Sequence, residues 1–218
     1  MPTITSIEPQ KKRKHRFNVF LDGKFAFGIN EQVLVENSLR KGMVLEAENL
    51  EKVLKKEELT KLQDTAIRFL NYRPRSEKEV RDNLTKKIAQ KESIKFQEAQ
   101  QSPLIEEIIR KLKKYKFIND LEFAKWFVES RIRSHQKSIR VISMELKLKG
   151  IEKEVIEKIT SSVGNETELA KKAIEKKVKR WQKLSDLDFK KKLYQFLLSR
   201  GFDYDTTKET FAYFAKKR

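Results

Sequence analysis

From Leu59 onward the apolar positions follow the period of helices. Leu59, Leu62, Ala66, Phe69 and Leu70 make one stripe, and Val80, Leu84 and Ile88 make the next at i, i+4 spacing. Between them stands Asn71-Tyr72-Arg73-Pro74-Arg75-Ser76, where Pro74 cannot continue a helix. Ser76 with Glu79 has the spacing of a capping box, which predicts the start of the second helix. Lys91 to Gln101 is polar with little pattern and reads as a loop or a ragged helix end. Ser102-Pro103 restarts a helix with Leu104, Ile105, Ile108, Ile109 and Leu112 inside. Lys116 to Glu122 turns and caps a next helix whose face is Phe123, Ala124, Phe127, Val128 and Ile132. Further stripes predict helices over residues 138–149 (Ile139, Ile142, Leu146), 151–163 (Val155, Ile156, Ile159), 166–182, 186–199 and 203–217. That makes nine helices after an N-terminal module of a different kind. In that module Phe17, Val19 and Leu21 alternate, Asp22-Gly23 follows, and Phe25, Phe27 and Ile29 alternate again. Asp-Gly between alternating runs predicts a β-hairpin with a two-residue type I′ turn, to which Ile4 and Ile7 add a strand.

The nine helices group into threes. Leu146-Lys147-Leu148-Lys149-Gly150-Ile151-Glu152 lies over Leu197-Leu198-Ser199-Arg200-Gly201-Phe202-Asp203 at an offset of 51, with Ile142 over Leu193. Ser76 and Leu84 lie over Ser138 and Leu146 at an offset of 62. The expected fold is mainly α: an elongated array of three tandem three-helix repeats with a small N-terminal β-hairpin module. The expected boundaries are 1–58 for the module and its connecting helix, then 59–118, 119–165 and 166–218 for the repeats.

Composition sharpens this. Of 218 residues, 38% are charged and only 38% hydrophobic, too little apolar material for one compact sphere. The 14 Phe, 5 Tyr and 2 Trp argue against disorder. The net charge of +18 is uneven: residues 170–218 alone hold 15 basic and 6 acidic side chains. Such a field attracts polyanions or acidic protein surfaces. Lys11-Lys12-Arg13-Lys14-His15-Arg16 has the composition of a nucleic-acid patch, but reads as a solvated loop. The absence of cysteine suits a reducing compartment. No segment has the apolar core of a signal peptide or approaches the roughly 20 apolar residues of a membrane span, so a soluble, cytoplasmic monomer is expected.

No catalytic constellation can be drawn. His15 and His135 each lack a second ligand at helical spacing, and neither G-x-x-x-x-G-K-[ST] nor G-x-G-x-x-G occurs. Acidic pairs such as Glu106-Glu107 lie among lysines, where ion pairing is the ordinary role. We therefore expect no enzyme, no cofactor and no metal.

The series Ala66…Leu70…Arg73-Pro74-Arg75-Ser76-Glu77…Val80…Leu84, then Tyr115-Lys116-Phe117-Ile118-Asn119-Asp120…Phe123-Ala124…Trp126, then Arg131…Ser138…Glu145-Leu146…Lys149-Gly150-Ile151, resembles the RecX family of regulators of the recombinase RecA. The resemblance runs from Leu59 to about Lys217, and the hairpin module is similar to an extension some bacterial members carry. It departs at Leu84-Thr85-Lys86-Lys87, where no glycine follows to set the end of the second helix. The resemblance implies a protein of DNA repair, recombination and the SOS response. Such a protein binds RecA and its filament on single-stranded DNA and inhibits recombinase, ATPase and coprotease activities. Single- or double-stranded DNA is a further direct ligand under this reading. A general electrostatic nucleic-acid-binding protein is the competing reading. The basic positions beside the repeat turns are the candidate partner-binding residues: Arg73, Arg75, Arg131, Arg133, Arg140, Lys147, Lys149 and Arg200. Arg131 and Arg133 follow an apolar helix face and precede a polar stretch, which predicts that neither is buried. Phe117 and Trp126 sit at helical spacing and are expected in the core rather than as base-stacking platforms.

Overall fold

The computed structural model describes residues 1–11 and 13–217, and of His135 the backbone alone. Lys12 and Arg218 lie outside the described residues, as does the His135 side chain. The chain divides into two compact units, one of residues 1–72 with 81–114, the other of 73–80 with 115–218.

The first unit opens with three antiparallel strands in the order β1 (Ile4–Gln10), β2 (Arg13–Leu21), β3 (Lys24–Asn30). Asp22 and Gly23 both take positive φ (48° and 79°), the backbone a type I′ turn needs. Val19 pairs with Phe27 and Phe17 with Ile29, but the register slips between Val19 and Phe20, which pairs with Phe25. This bulge turns Phe25 away from the core side and leaves it exposed, edge-on to Phe20 at 6.0 Å. Ile4, Val19 and Ile29 pack with Val33 of α1 (Glu31–Glu36) and with Val53 of α2 (Ala47–Asn71). The helix legible from Leu59 thus begins twelve residues earlier, as one 25-residue element. The basic run is not the solvated loop expected: Arg13 to Arg16 lie in β2, and the Arg16 side chain is largely buried against Glu57 of α2. Glu57 is 2% exposed, with Arg16 Nη2 at 2.6 Å and the Asn30 N–H donating to its other oxygen at 2.7 Å. A buried carboxylate needs such a set of donors.

Helix α3 (Glu77–Glu92) ends at the start of the polar stretch read as a loop or a ragged helix end, and a four-residue helix, α4 (Phe96–Ala99), lies within that stretch. Without a glycine after Leu84 the helix continues, burying Ile88, until Ser93 takes positive φ (58°) and the Ile94 N–H donates to the Ala89 carbonyl at 3.2 Å. This is the hydrogen bond of a glycine-type helix end with serine in the left-handed position. Helix α5 (Pro103–Lys114) buries Ile105, Ile108, Ile109 and Leu112 as expected.

The second unit holds two three-helix cores. In one, α6 (Asp120–Ser130), α7 (Ile139–Leu148) and α8 (Lys153–Thr160) enclose Phe123, Phe127, Val128, Ile142, Leu146, Ile156 and Ile159. In the other, α9 (Glu166–Trp181), α10 (Asp186–Ser199) and α11 (Tyr204–Ala215) enclose Ala170, Ile174, Val178, Phe189, Leu193, Leu197 and Phe202. All nine helices legible in the sequence are present among the described residues, with α1 and α4 in addition. Between α6 and α7 the residues Arg131–His135 form a π-helical turn, followed by Gln136 in the left-handed conformation.

The internal repeat has a physical basis. Gly150 and Gly201 end α7 and α10 with φ of 80° and 87°, where only glycine is unstrained. In each, the next residue donates five positions back: Ile151 to Leu146 at 3.1 Å, Phe202 to Leu197 at 3.2 Å. Each glycine also lies against the start of the preceding repeat's second helix. A Cβ on Gly150 would come within 2.9 Å of Lys78 Cβ, and one on Gly201 within 2.8 Å of Ser138 Oγ and into Val141.

Candidate partner-binding surface

The N-termini of α3 and α7 are built alike. Ser76 Oγ accepts from the Glu79 N–H at 3.2 Å, and Glu79 Oε2 accepts from the Ser76 N–H at 3.4 Å, completing the expected capping box. Ser138 Oγ accepts from the Val141 N–H at 3.3 Å. Each helix start is then met by an acid from the first turn of the next repeat. The Glu77 N–H donates to Asp120 Oδ1 at 2.8 Å and the Ile139 N–H to Glu166 Oε1 at 3.0 Å. Exposed first-turn amides attract such anions.

The candidate basic residues fall into two sets around these joints. Arg73 grips Glu79 with both nitrogens, at 2.9 and 3.2 Å, and lies 5.6 Å from the Trp126 ring centroid. Lys149 joins the same carboxylate at 2.7 Å. Burial pushes the Glu79 carboxyl up, but the hydrogen bonds from Arg73 and Lys149 outweigh it and hold it below the ordinary carboxylate range. Arg75 is half-buried beside them. Arg131 departs from expectation: it is half-buried, with Nε 2.5 Å from Glu145 and its guanidinium 4.5 Å from the Phe127 ring. Lys137 also pairs with Glu145, whose carboxyl burial raises and these two cations lower, with a net fall. Arg131 follows directly from α6, and the packing of α6 against α7 brings it to Glu145. These four residues, Arg73, Arg75, Arg131 and Lys149, are committed at least partly to the protein's own packing.

In the other set Arg133, Arg140 and Lys147 face solvent and Arg200 is half-buried. Arg133 is 79% exposed, with Glu129 only at 4.0 Å. Arg140 and Lys147 stand exposed on α7, where Met144 and Leu148 are exposed too (59% and 70%). Arg200 lies 5.1 Å from the Phe196 ring while its carbonyl accepts from the Ser138 N–H at 3.0 Å. Trp126 packs on the α6–α8 core as expected, whereas Phe117 is half-exposed. Phe117 precedes the Asn119 cap, so the helical spacing used to bury it does not hold there. Sequence reasoning passed over the exposed lysines of α9 and α10, among them Lys172, Lys191 and Lys192. The C-terminal charge excess was the signal that could have found them.

Among the described residues no group of three His, Asp or Glu side chains could hold a metal ion. No helix there is long and apolar enough to cross a membrane.

Four family models match in chain order: the regulatory protein RecX N-terminal domain over residues 2–46, then the first, second and third RecX three-helix domains over 64–94, 119–158 and 165–211. The regulatory protein RecX of Bacillus subtilis (strain 168) is 37% identical over 207 residues, covering 94% of this chain and 74% of that protein. The Listeria monocytogenes serovar 1/2a regulatory protein RecX is 35% identical over 208 residues, with 94% and 73% covered. These relatives are named as regulatory proteins, not as enzymes. A crystal structure of regulatory protein RecX superposes with a TM-score of 0.66 at 27% identity, covering 95% of this chain and 98% of the other. RecX from Lactobacillus salivarius gives 0.55 at 27% identity over 71% and 95%. With its sheet module and three helical triplets in the same order, the chain belongs to the RecX family of regulatory proteins.

Proposed function

We propose that this chain is a cytoplasmic, monomeric regulator that binds RecA and the RecA filament on single-stranded DNA. It inhibits recombinase, ATPase and coprotease activities without chemistry of its own, in DNA repair and the SOS response. The observation that carries the reading is the ordered match of all four RecX segments over one chain. Its physical support is the net charge of +18 together with exposed cations at Arg133, Arg140 and Lys147. A filament coated on DNA is strongly anionic, and cationic side chains steer encounter with it. Inhibition follows from occupying surface that the incoming duplex or a neighbouring subunit needs. The test is RecA ATP hydrolysis on single-stranded DNA with rising amounts of the chain. A dose-dependent fall is expected, and an unchanged rate overturns the reading.

A second reading, general electrostatic attachment to nucleic acid, is favoured by the 15 basic against 6 acidic residues over 170–218. It predicts binding to bare DNA that collapses with salt, and inhibition that any similarly charged protein reproduces. Inhibition that persists at a salt concentration abolishing bare-DNA binding excludes it.

A further inference from the structure

A groove of about 480 Å³ lies in the second unit where the end of α6 and the π turn face α9. Its floor is apolar: Ile132 from the π turn, Leu169 and Ala173 from α9, and Phe202 from the turn that ends α10. Its rim is cationic, with Arg133 and Lys137 on one side and Lys172 on the other, against the single acid Glu129. The wall is an unusual piece of backbone. Ile132 and Arg133 in the π turn, the left-handed Gln136 and Lys137 after it line this side of the groove. Such turns cost stability and recur where a side chain must be aimed.

We propose that this groove binds an acidic peptide segment carrying one large apolar side chain. That side chain seats over Ile132 and Leu169, and the flanking carboxylates meet Arg133 and Lys172. Charge complementarity selects the occupant: with Lys137 engaged by Glu145, the exposed cations Arg133 and Lys172 against the one lining acid Glu129 favour a ligand with negative charges around an apolar centre. A nucleic acid fits less well. Bases stack on exposed aromatic faces, whereas Phe202 is 2% exposed and the rest of the floor is aliphatic. The inference goes beyond the proposed function and stands without it, because its test contains no recombinase.

The probe is the fluorescein-labelled peptide Glu-Asp-Asp-Leu-Asp-Asp-Glu, followed by fluorescence anisotropy on the full chain. Saturable binding is expected, weakened roughly tenfold when serine replaces the central leucine. Lys172→Glu with Arg133→Glu is expected to weaken it by at least about tenfold. Lys191→Glu with Lys192→Glu makes the same charge change on α10, outside the groove, and is expected to cost less than about threefold. Circular dichroism checks folding; if the charge reversal unfolds the chain, Lys172→Ala with Arg133→Ala is expected to weaken binding roughly fivefold. No saturable binding, equal affinity for the serine peptide, or equal losses in the two charge-reversal variants overturns the proposal. So does oligothymidylate binding more tightly than the peptide through Arg133 and Lys172.

Discussion

The main-chain N–H of Ile139 at the start of α7 donates to the Glu166 carboxylate of α9, 3.0 Å away and one repeat further on. Burial holds the Glu166 carboxyl above the ordinary range, with the Ile139 N–H pulling the other way. An acid raised on folding stabilises the protein below its unfolded value and loses that contribution as pH rises through the folded one. Glu166→Gln keeps an acceptor for Ile139 and removes the buried charge. It is expected to fold with an unchanged or slightly higher Tm at neutral pH, whereas Glu166→Ala, which strands the amide, loses about 1 kcal/mol. Thermal unfolding followed by circular dichroism at neutral pH separates the two.

Glu79 and Glu145 have the opposite sign. Their carboxyls sit below the ordinary range, so the unfolded chain binds more protons in the acidic window. The stability they contribute is present above the unfolded carboxylate value and is lost as pH falls through the folded one. Urea midpoints measured between neutral pH and the acid limb should fall less steeply in Glu79→Gln than in the wild type. Parallel slopes would remove Glu79 as a cause.

Three helix ends use the same left-handed residue with different occupants: Ser93, Gly150 and Gly201. Ser93→Gly relieves a strained serine and should stabilise the chain by about 0.5–1 kcal/mol. Gly201→Ala should cost more than about 2 kcal/mol, because its Cβ meets both the wrong backbone and the Ser138–Val141 turn. Denaturant midpoints of the two variants should move in opposite directions.

Glu57 is the acid on which β2, β3 and α2 converge. Glu57→Ala leaves Arg16 buried beside an empty position and is expected to destabilise the first unit by about 3 kcal/mol. Hydrogen exchange resolved along the chain should show the loss across residues 1–72. Equal protection there would mean that water replaces the carboxylate without cost.

Arg131 and Arg133, adjacent in the candidate set, should separate experimentally. Arg131→Glu faces Glu145 and is expected to lower the Tm by several degrees, while Arg133→Glu leaves it unchanged. In a RecA ATPase assay only the second is a clean probe of inhibition. A Tm unmoved by Arg131→Glu would show that the Glu145 pair carries no net stability.

Most of the architecture was legible because each helix carries its own signals. Ser76 with Glu79, Ser138, Asn119 and Asp203 cap where the spacing says they do. The Asp22-Gly23 turn needs no tertiary information at all. What escaped depended on residues far apart in sequence. Arg16 looks like part of a solvated run until Glu57 meets it across 41 positions, and Arg131 looks exposed until Glu145 of α7 meets it across 14. The end of α3 escaped for a local reason, since serine seldom takes the left-handed position. The candidate surface was the least legible, because an arginine that binds a partner and one that braces a joint are the same letter.

The joints between successive repeats use little chemistry: a helix-start amide, an acid from the next first turn and a glycine-ended turn laid alongside. Of the three, only the amide is supplied by almost any residue; the turn needs its glycine and the acid its side chain. Surface residues of a triplet that take no part in these joints or their ion pairs can therefore change without touching what holds neighbouring repeats together. The stretch from Ser93 to Ser102 carries an extra helical turn, α4, between α3 and α5. A scaffold of this kind can change the face it shows to a binding target while the contacts that join its repeats stay as they are.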